Sequence, residues 1–230
     1  MRARFSATMT RQTRRTPGRP RLADEPTSDG AHRRAEIAER AAALFYEAPF
    51  EAVSIRDIER ATGLTRGPLY YHFSGKEEIY LATILHGLNK VLAGLERAGE
   101  AEDATACERL MAIVDVYAAH YARDHQLFHV LARYFFGRRP ELKGGEDVQA
   151  EVDTTLGRSL SLVESVIADG VREGAFRTDD PGFATMTIWG MLTTVLQMNP
   201  ANPRVGRYSR PHEELTRRLK ADVLTLLGAA

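Results

Sequence analysis

Three helix starts fall within the 24 residues from Ser54 to Glu77, and they leave this stretch few ways to fold. Ser54 followed by Asp57 is a capping box, in which the first side chain and the third helical residue satisfy each other's backbone N–H groups. Val53 and Ile58 flank it as a hydrophobic staple. Gly63 then ends a short helix, because glycine enters the left-handed conformation at low cost. Thr65 caps the next helix, with Leu64 and Leu69 in the staple positions, and Ser74 with Glu77 forms a second capping box. Two short helices joined by a tight glycine-containing turn make a helix-turn-helix.

The remainder reads as helix as well. Strand-like alternation is absent from Ala31 onward, and Ala, Leu, Glu and Arg dominate. The periodicity and punctuation predict helices over 31–47, 54–61, 65–72, 75–98, 104–123, 125–136, 146–173, 181–198 and 212–227. The seventh has the clearest stripe: Val148, Val152, Leu156, Ser159, Val163, Val166 and Val171. The fold class expected is therefore all-α: a small three-helix, helix-turn-helix module over 31–80 and a larger helical body over 81–230. A basic flexible arm over 1–30 precedes them. Residues 1–21 carry seven arginines and no acid, although the whole chain is neutral. A cationic arm on a neutral protein points to a polyanionic partner or to a solvated tail. Pro200 to Pro211 reads as a mobile connection.

The third helix carries the chemistry. With Leu69 and Phe73 facing inward, Arg66, Gly67, Pro68, Tyr70, Tyr71 and His72 cover its remaining surface. Tyrosine hydroxyls and an imidazole can bond phosphate oxygens, and an arginine can bridge guanine in the major groove. Pro68 is tolerated in a first turn and offers an apolar face to a thymine methyl. Lys76 stands at the start of the fourth helix, where the dipole disfavours a cation, and a phosphate contact explains it. Against this stands packing of the tyrosines on the first helix, partial packing of Tyr71 in particular, with Lys76 merely solvated.

Ala42-Ala43-Leu44-Phe45, Val53-Ser54-Ile55-Arg56-Asp57-Ile58, Ala61-Thr62-Gly63-Leu64-Thr65-Arg66-Gly67 and Leu69-Tyr70-Tyr71-His72-Phe73, followed by Lys76-Glu77, together resemble the N-terminal domain of the tetracycline-repressor (TetR) family. The resemblance spans about residues 33–80. It implies a homodimeric all-helical transcriptional regulator, usually a repressor, released from a palindromic double-stranded DNA operator by a small ligand, with 31–80 as the DNA-binding domain and 81–230 as the ligand-binding and dimerisation domain. It also implies DNA contact by Ser54, Arg56, Thr65, Arg66, Gly67, Pro68, Tyr70, Tyr71, His72 and Lys76. Pro49, Glu59 and Thr62 depart from the family pattern, which commonly has Gly or Ala in these places. Within the arm, Pro17-Gly18-Arg19-Pro20-Arg21 is similar to the core of minor-groove hooks, with nonspecific phosphate attraction as the plainer role.

The body offers a weaker signal. Tyr117, His120, Tyr121, His125, His129 and Tyr134 concentrate polar aromatics over a short span. His125 and His129 share a helix face at a two-ligand metal spacing, but no third ligand is evident and no metal is assigned. An effector cavity lined by Tyr117, His120, Tyr121, Phe128, His129, Leu131, Met186 and Trp189 is one reading, and plain core or surface packing is the other. Such a lining suits a small, mainly apolar effector with a polar handle. The dimer seam is expected on the eighth and ninth helices at Leu192, Val195, Leu219 and Val223.

Several classes are disfavoured. Phe183 to Met198 is 16 residues long and holds four threonines and a glutamine, short of a membrane span. No secretory signal is visible, and the single cysteine, Cys107, needs no oxidising compartment, so a cytoplasmic protein is expected. No phosphate loop, nucleophile elbow or His-Glu-x-x-His pair supports an enzyme, and no cofactor is implied. A catalytic pair of Cys107 and His120 lacks a third group. A ligand-released repressor is the reading that fits these features; a structural nucleic-acid-binding protein without effector, or an all-α enzyme, stands behind it.

Overall fold

The computed structural model describes residues 28–137, 142, 144–201 and 209–229. The basic arm through residue 27, with its Pro17–Arg21 core, and most of the connection after Pro200 lie outside the described residues. Every described element is helical: α1 (Ser28–Glu47), a 3-10 turn (Phe50–Ala52), α2 (Ile55–Thr62), α3 (Arg66–His72), α4 (Lys76–Gly99), α5 (Ala106–Arg123), α6 (His125–Phe136), α7 (Glu146–Arg172), α8 (Pro181–Ala201) and α9 (His212–Leu226). No helix of the described residues is long and apolar enough to cross a membrane.

With 8 and 7 residues, α2 and α3 are too short to persist alone. Packing holds them: Ile58, Leu69 and Phe73 are buried against Ile37, Phe45 and Ile79. The turn between the two helices needs Gly63, which sits at φ 71° in the left-handed region. The ends of these short elements share a second device. The last carbonyls of a helix lack internal partners and form the negative end of its dipole, so a cation there is favourable. Arg40 donates to the Thr62 carbonyl at 3.0 Å, closing α2, and Arg34 donates to the His72 carbonyl, closing α3. Lys76 donates to the carbonyls of Phe50 at 2.9 Å and Val53 at 2.8 Å, closing the 3-10 turn.

The expected capping box at Ser74 is shifted by one residue. Gly75 is the N-cap of α4, so Glu78 rather than Glu77 reaches back, accepting bonds from the Ser74 N–H and hydroxyl at 2.7 Å each. Arg34 pairs with the same carboxylate at 2.7 Å. Burial pushes the Glu78 carboxyl up, but the Ser74 and Arg34 bonds outweigh it and hold its pKa below the ordinary 4.5. A depressed carboxylate contributes stability that is complete above pH 4.5 and is lost as pH falls through the folded value. Thermal unfolding from about pH 6 to about pH 3 is expected to show a shallower acid loss in Glu78→Gln than in the parent. An identical acid limb in both proteins contradicts this tie.

Buried side chains form two clusters. One joins α1–α3 to the first half of α4 and extends to Val130, Leu131 and Tyr134 of α6 and Val152 of α7. The other joins the second half of α4 to α5, α7, α8 and α9. The division expected near residue 80 thus falls inside one continuous 24-residue helix, α4, which contributes to both clusters. The same arrangement moves the expected seam residues. Leu192, Leu219 and Val223 are buried in the protomer's own core and Val195 packs against it, so their polar replacement damages the fold before any interface. The outward stripe of α8 is instead Phe183, Met186 and Met198, all exposed.

Candidate nucleic-acid interface and ligand cavity

The surface of α3 is almost wholly open. Leu69 is its one fully buried side chain, while Arg66, Gly67, Pro68, Tyr70 and Tyr71 are exposed. Tyr71 is 84 % exposed, so the partial packing expected of it does not occur. Its ring meets His72 edge-on at 5.0 Å. Tyr70 lies under the Arg66 guanidinium at 5.4 Å, which orders that cation on the open face. His72 is half-buried, and desolvation, then Arg34 and Arg33, lower its pKa, which keeps the imidazole neutral at neutral pH.

The caps differ from expectation in a way that bears on recognition. Thr65 has the extended backbone of an N-cap, yet its hydroxyl makes no cap bond and is left for a partner. Ser54 is the reverse. Its hydroxyl accepts from the Asp57 N–H at 3.3 Å and donates to the Asp57 carboxylate at 2.6 Å, so its one proton is already committed. Arg56 is exposed on α2.

Lys76 already has partners within the chain. Its ammonium is drawn into the two carbonyls closing the 3-10 turn and lies 4.2 Å from the Phe50 ring. This explains a cation at a helix start without a phosphate: the attraction of two carbonyls and a ring outweighs the dipole. Lys76→Ala is expected to lower stability by about 2 kcal/mol, the loss of charged hydrogen bonds, seen as an earlier urea midpoint. An unchanged midpoint with uniformly weaker DNA binding returns Lys76 to phosphate contact. Arg34 and Arg40 went unnoticed in the sequence because an arginine on an amphipathic helix looks solvated; its target carbonyl is 22 to 38 residues away.

In the body, α4, α5, α6, α7 and α8 enclose a cavity of about 80 Å³ with apolar walls, among them Leu88, Val91, Leu156, Leu160, Ile188 and Leu192. Ser159 and Thr185 also line it, with their hydroxyls turned to their own helix carbonyls, and a hydrogen-bonded polar cluster interrupts the walls. The Tyr117 hydroxyl is 2.6 Å from the Thr193 hydroxyl and accepts from the Trp189 indole N–H at 3.1 Å. Burial pushes the Tyr117 pKa up to about 12, so the group stays a neutral hydrogen-bonding handle.

Of the residues expected there, Tyr117, Phe128, Leu131 and Trp189 line the cavity, and His120, Tyr121, His129 and Met186 do not. The reason is helix rotation, which carries residues three or four apart to different edges of one face. His120 turns toward Gly94 of α4. Tyr121 lies behind Phe128, with its ring edge-on at 5.0 Å. Met186 faces outward on α8. His129 and His125 both pack on Tyr46, at 5.5 and 5.8 Å, and among the described residues no group of three His, Cys, Asp or Glu could hold a metal. The walls from α4 and α7 escaped the sequence reading, since an apolar stripe has the same spacing whether it meets a neighbour or a void. Cys107 and His120 lie thirteen residues apart on α5, about 20 Å along the axis, too far to act as a pair.

Comparison with known proteins gives the same picture. Residues 37–83 match the family described as bacterial regulatory proteins, tetR family, and residues 103–197 match a tetracyclin repressor-like C-terminal domain. The HTH-type transcriptional repressor KstR2 of Rhodococcus jostii is 32 % identical over 168 residues, covering 70 % of this chain and 75 % of the relative. The TetR-family regulator PfmR of Thermus thermophilus superposes with a TM-score of 0.67 at 26 % identity, over 82 % of this chain and 97 % of that one. The structure of AibR with isovaleryl coenzyme A and operator DNA gives 0.67 at 22 % identity, over 86 % and 100 %. KstR2 and PfmR are regulators of transcription. With both of its parts matched and its reading helix bare, the chain belongs to the tetR family of bacterial regulatory proteins.

Proposed function

We propose that this regulator is a homodimeric repressor that reads a near-palindromic operator through α3 and leaves it when an apolar effector enters the α4–α8 cavity. The observation that carries this reading is the open face of α3, where two tyrosines and an arginine stand in solvent with one buried leucine beneath them. Arg66 and Pro68 suit base edges, whereas Thr65, Tyr70, Tyr71 and His72 suit phosphates. Arg56 flanks them from α2, and Ser54 contributes through its cap rather than through a free hydroxyl.

The outer faces of α8 and α9 form the dimer seam. Phe183, Met186 and Met198 follow helical spacing along α8, Gly190 opens the middle of the stripe, and Leu226 of α9 is exposed as well. A second copy is the occupant because a palindromic operator calls for two α3 helices on successive turns of one DNA face, about 34–36 Å apart, and so for a two-fold seam in the body. Support for the cavity as effector site comes from its mainly apolar walls and the Tyr117–Trp189–Thr193 cluster. At about 80 Å³ it is smaller than the ~150 Å³ that holds a benzene ring, so a larger effector must open it. That AibR was crystallised with an acyl-coenzyme A agrees with such a role. Selection of random DNA on the purified protein tests the reading: an enriched palindrome bound by a dimer is the expected result. Enrichment of no sequence, or tight binding by a monomer, rejects it.

A further inference from the structure

Arg133 of α6 stands where the ligand side of the body meets the DNA-binding module. The last turn of α1 has no basic residue of its own, so the negative end of its dipole and its last carbonyls must find partners elsewhere. Arg133 supplies them, donating to the carbonyls of Phe45 at 2.9 Å, Ala48 at 3.0 Å and Tyr46 at 3.0 Å. From α1 the connection continues to the reading helices, through Arg40 to the end of α2 and Arg34 to the end of α3.

The same guanidinium lines an open pocket of about 380 Å³, together with Tyr46, His129 and Gln197. This pocket shares Ala132, Phe136 and Thr193 with the inner cavity, so the two adjoin across one wall, as front and back. Phe136 stands between them, 56 % exposed. The back is apolar. The front has a cation, an imidazole and an amide, and no acidic side chain among its described lining residues. An apolar interior behind a cationic mouth fits an amphipath with an anionic head group.

We propose that Arg133 couples effector to operator: the effector's apolar chain occupies the inner cavity while its anionic head group draws the Arg133 guanidinium off the last carbonyls of α1. The exchange has a favourable direction, because an arginine bonds a carboxylate or phosphate more strongly than neutral carbonyls. Freed of its clamp, α1 no longer holds α2 and α3 in the operator-binding placement. A neutral molecule of the same shape fills the cavity without touching the clamp. The inference rests on the ligand-released reading above and names its ligand class, an anionic amphipath.

The test uses the full chain, the operator selected from random DNA, and three probes: octanoate, octanoyl-coenzyme A and octanol. One or both anions are expected to weaken operator binding by the parent at least about tenfold, and octanol less than about twofold. Action by octanoate identifies a carboxylate at the mouth, and action by the thioester alone identifies a phosphate. Arg133→Gln is expected to weaken ligand-free operator binding and to shrink the anion effect below about twofold, with Arg133→Lys in between. A merely structural arginine predicts weaker operator binding with the parent's ratio unchanged, and that result overturns the coupling while leaving ligand release intact. Octanol matching the anions overturns the head-group assignment. Should the Gln variant fail to melt cooperatively, the ratio in the Lys variant decides in the same way. If no probe alters operator binding by the parent, the ligand-released reading falls together with the coupling.

Discussion

Arg66→Ala is expected to weaken operator binding by about 1–3 kcal/mol in each half-site, and so by about 2–6 kcal/mol for a dimer, from thirtyfold to beyond ten-thousandfold. Arg66 opens α3, is exposed, and is held over the Tyr70 ring rather than in an ion pair with a neighbouring helix. A guanidinium held by Tyr70 in this way keeps its other donors for a guanine edge and loses little further freedom on binding. Base recognition has a signature that charge alone lacks. The selected operator is weakened while scrambled DNA of the same length is nearly unaffected, and preference relaxes at one base pair per half-site. Fluorescence anisotropy against both duplexes over a range of salt reads both effects. Equal losses on the two duplexes assign Arg66 to phosphate instead.

A second large effect separates the protomer's core from its seam. Val223→Asp places a carboxylate at a fully buried position among the α5, α8 and α9 side chains. An unpaired buried charge costs several kcal/mol against a total stability of about 5–15 kcal/mol, so the variant is expected to lose cooperative unfolding or most of its melting temperature. Met186→Asp, at a half-exposed position on the outer stripe of α8, is expected to stay helical and to sediment as a monomer. Two like charges facing one another across a two-fold axis repel, whereas a single surface substitution changes protomer stability by less than about 0.5 kcal/mol. A Met186→Asp dimer as tight as the parent's removes the seam from this face. A Val223→Asp protein that melts like the parent contradicts the inward register of α9.

These contrasts show which kinds of information are local. Ser54, Asp57, Gly63 and Leu69 act within a few residues of themselves, through a cap, a left-handed turn and a buried contact, and all four stand where their sequence context places them. The second capping box failed by one residue, because Gly75 extends the chain before α4 and hands the role to Glu78. Lys76 looked unpartnered because its carbonyls lie 23 and 26 residues earlier. Leu192, Leu219 and Val223 were expected at a seam because a helix with apolar side chains on several faces does not declare which face meets its own protomer.

The sequence by itself determined the all-α class, the helix-turn-helix, the family, and the side chains that α3 presents, since capping, turn chemistry and helical period are properties of neighbouring residues. Only the tertiary structure decided that cations close the helix ends, that α8 turns Phe183 and Met186 outward, and that Arg133 joins a pocket to the end of α1. Each of these depends on how far one helix is rotated and displaced against another. That is set by the summed packing of many distant side chains, and no window of sequence contains it.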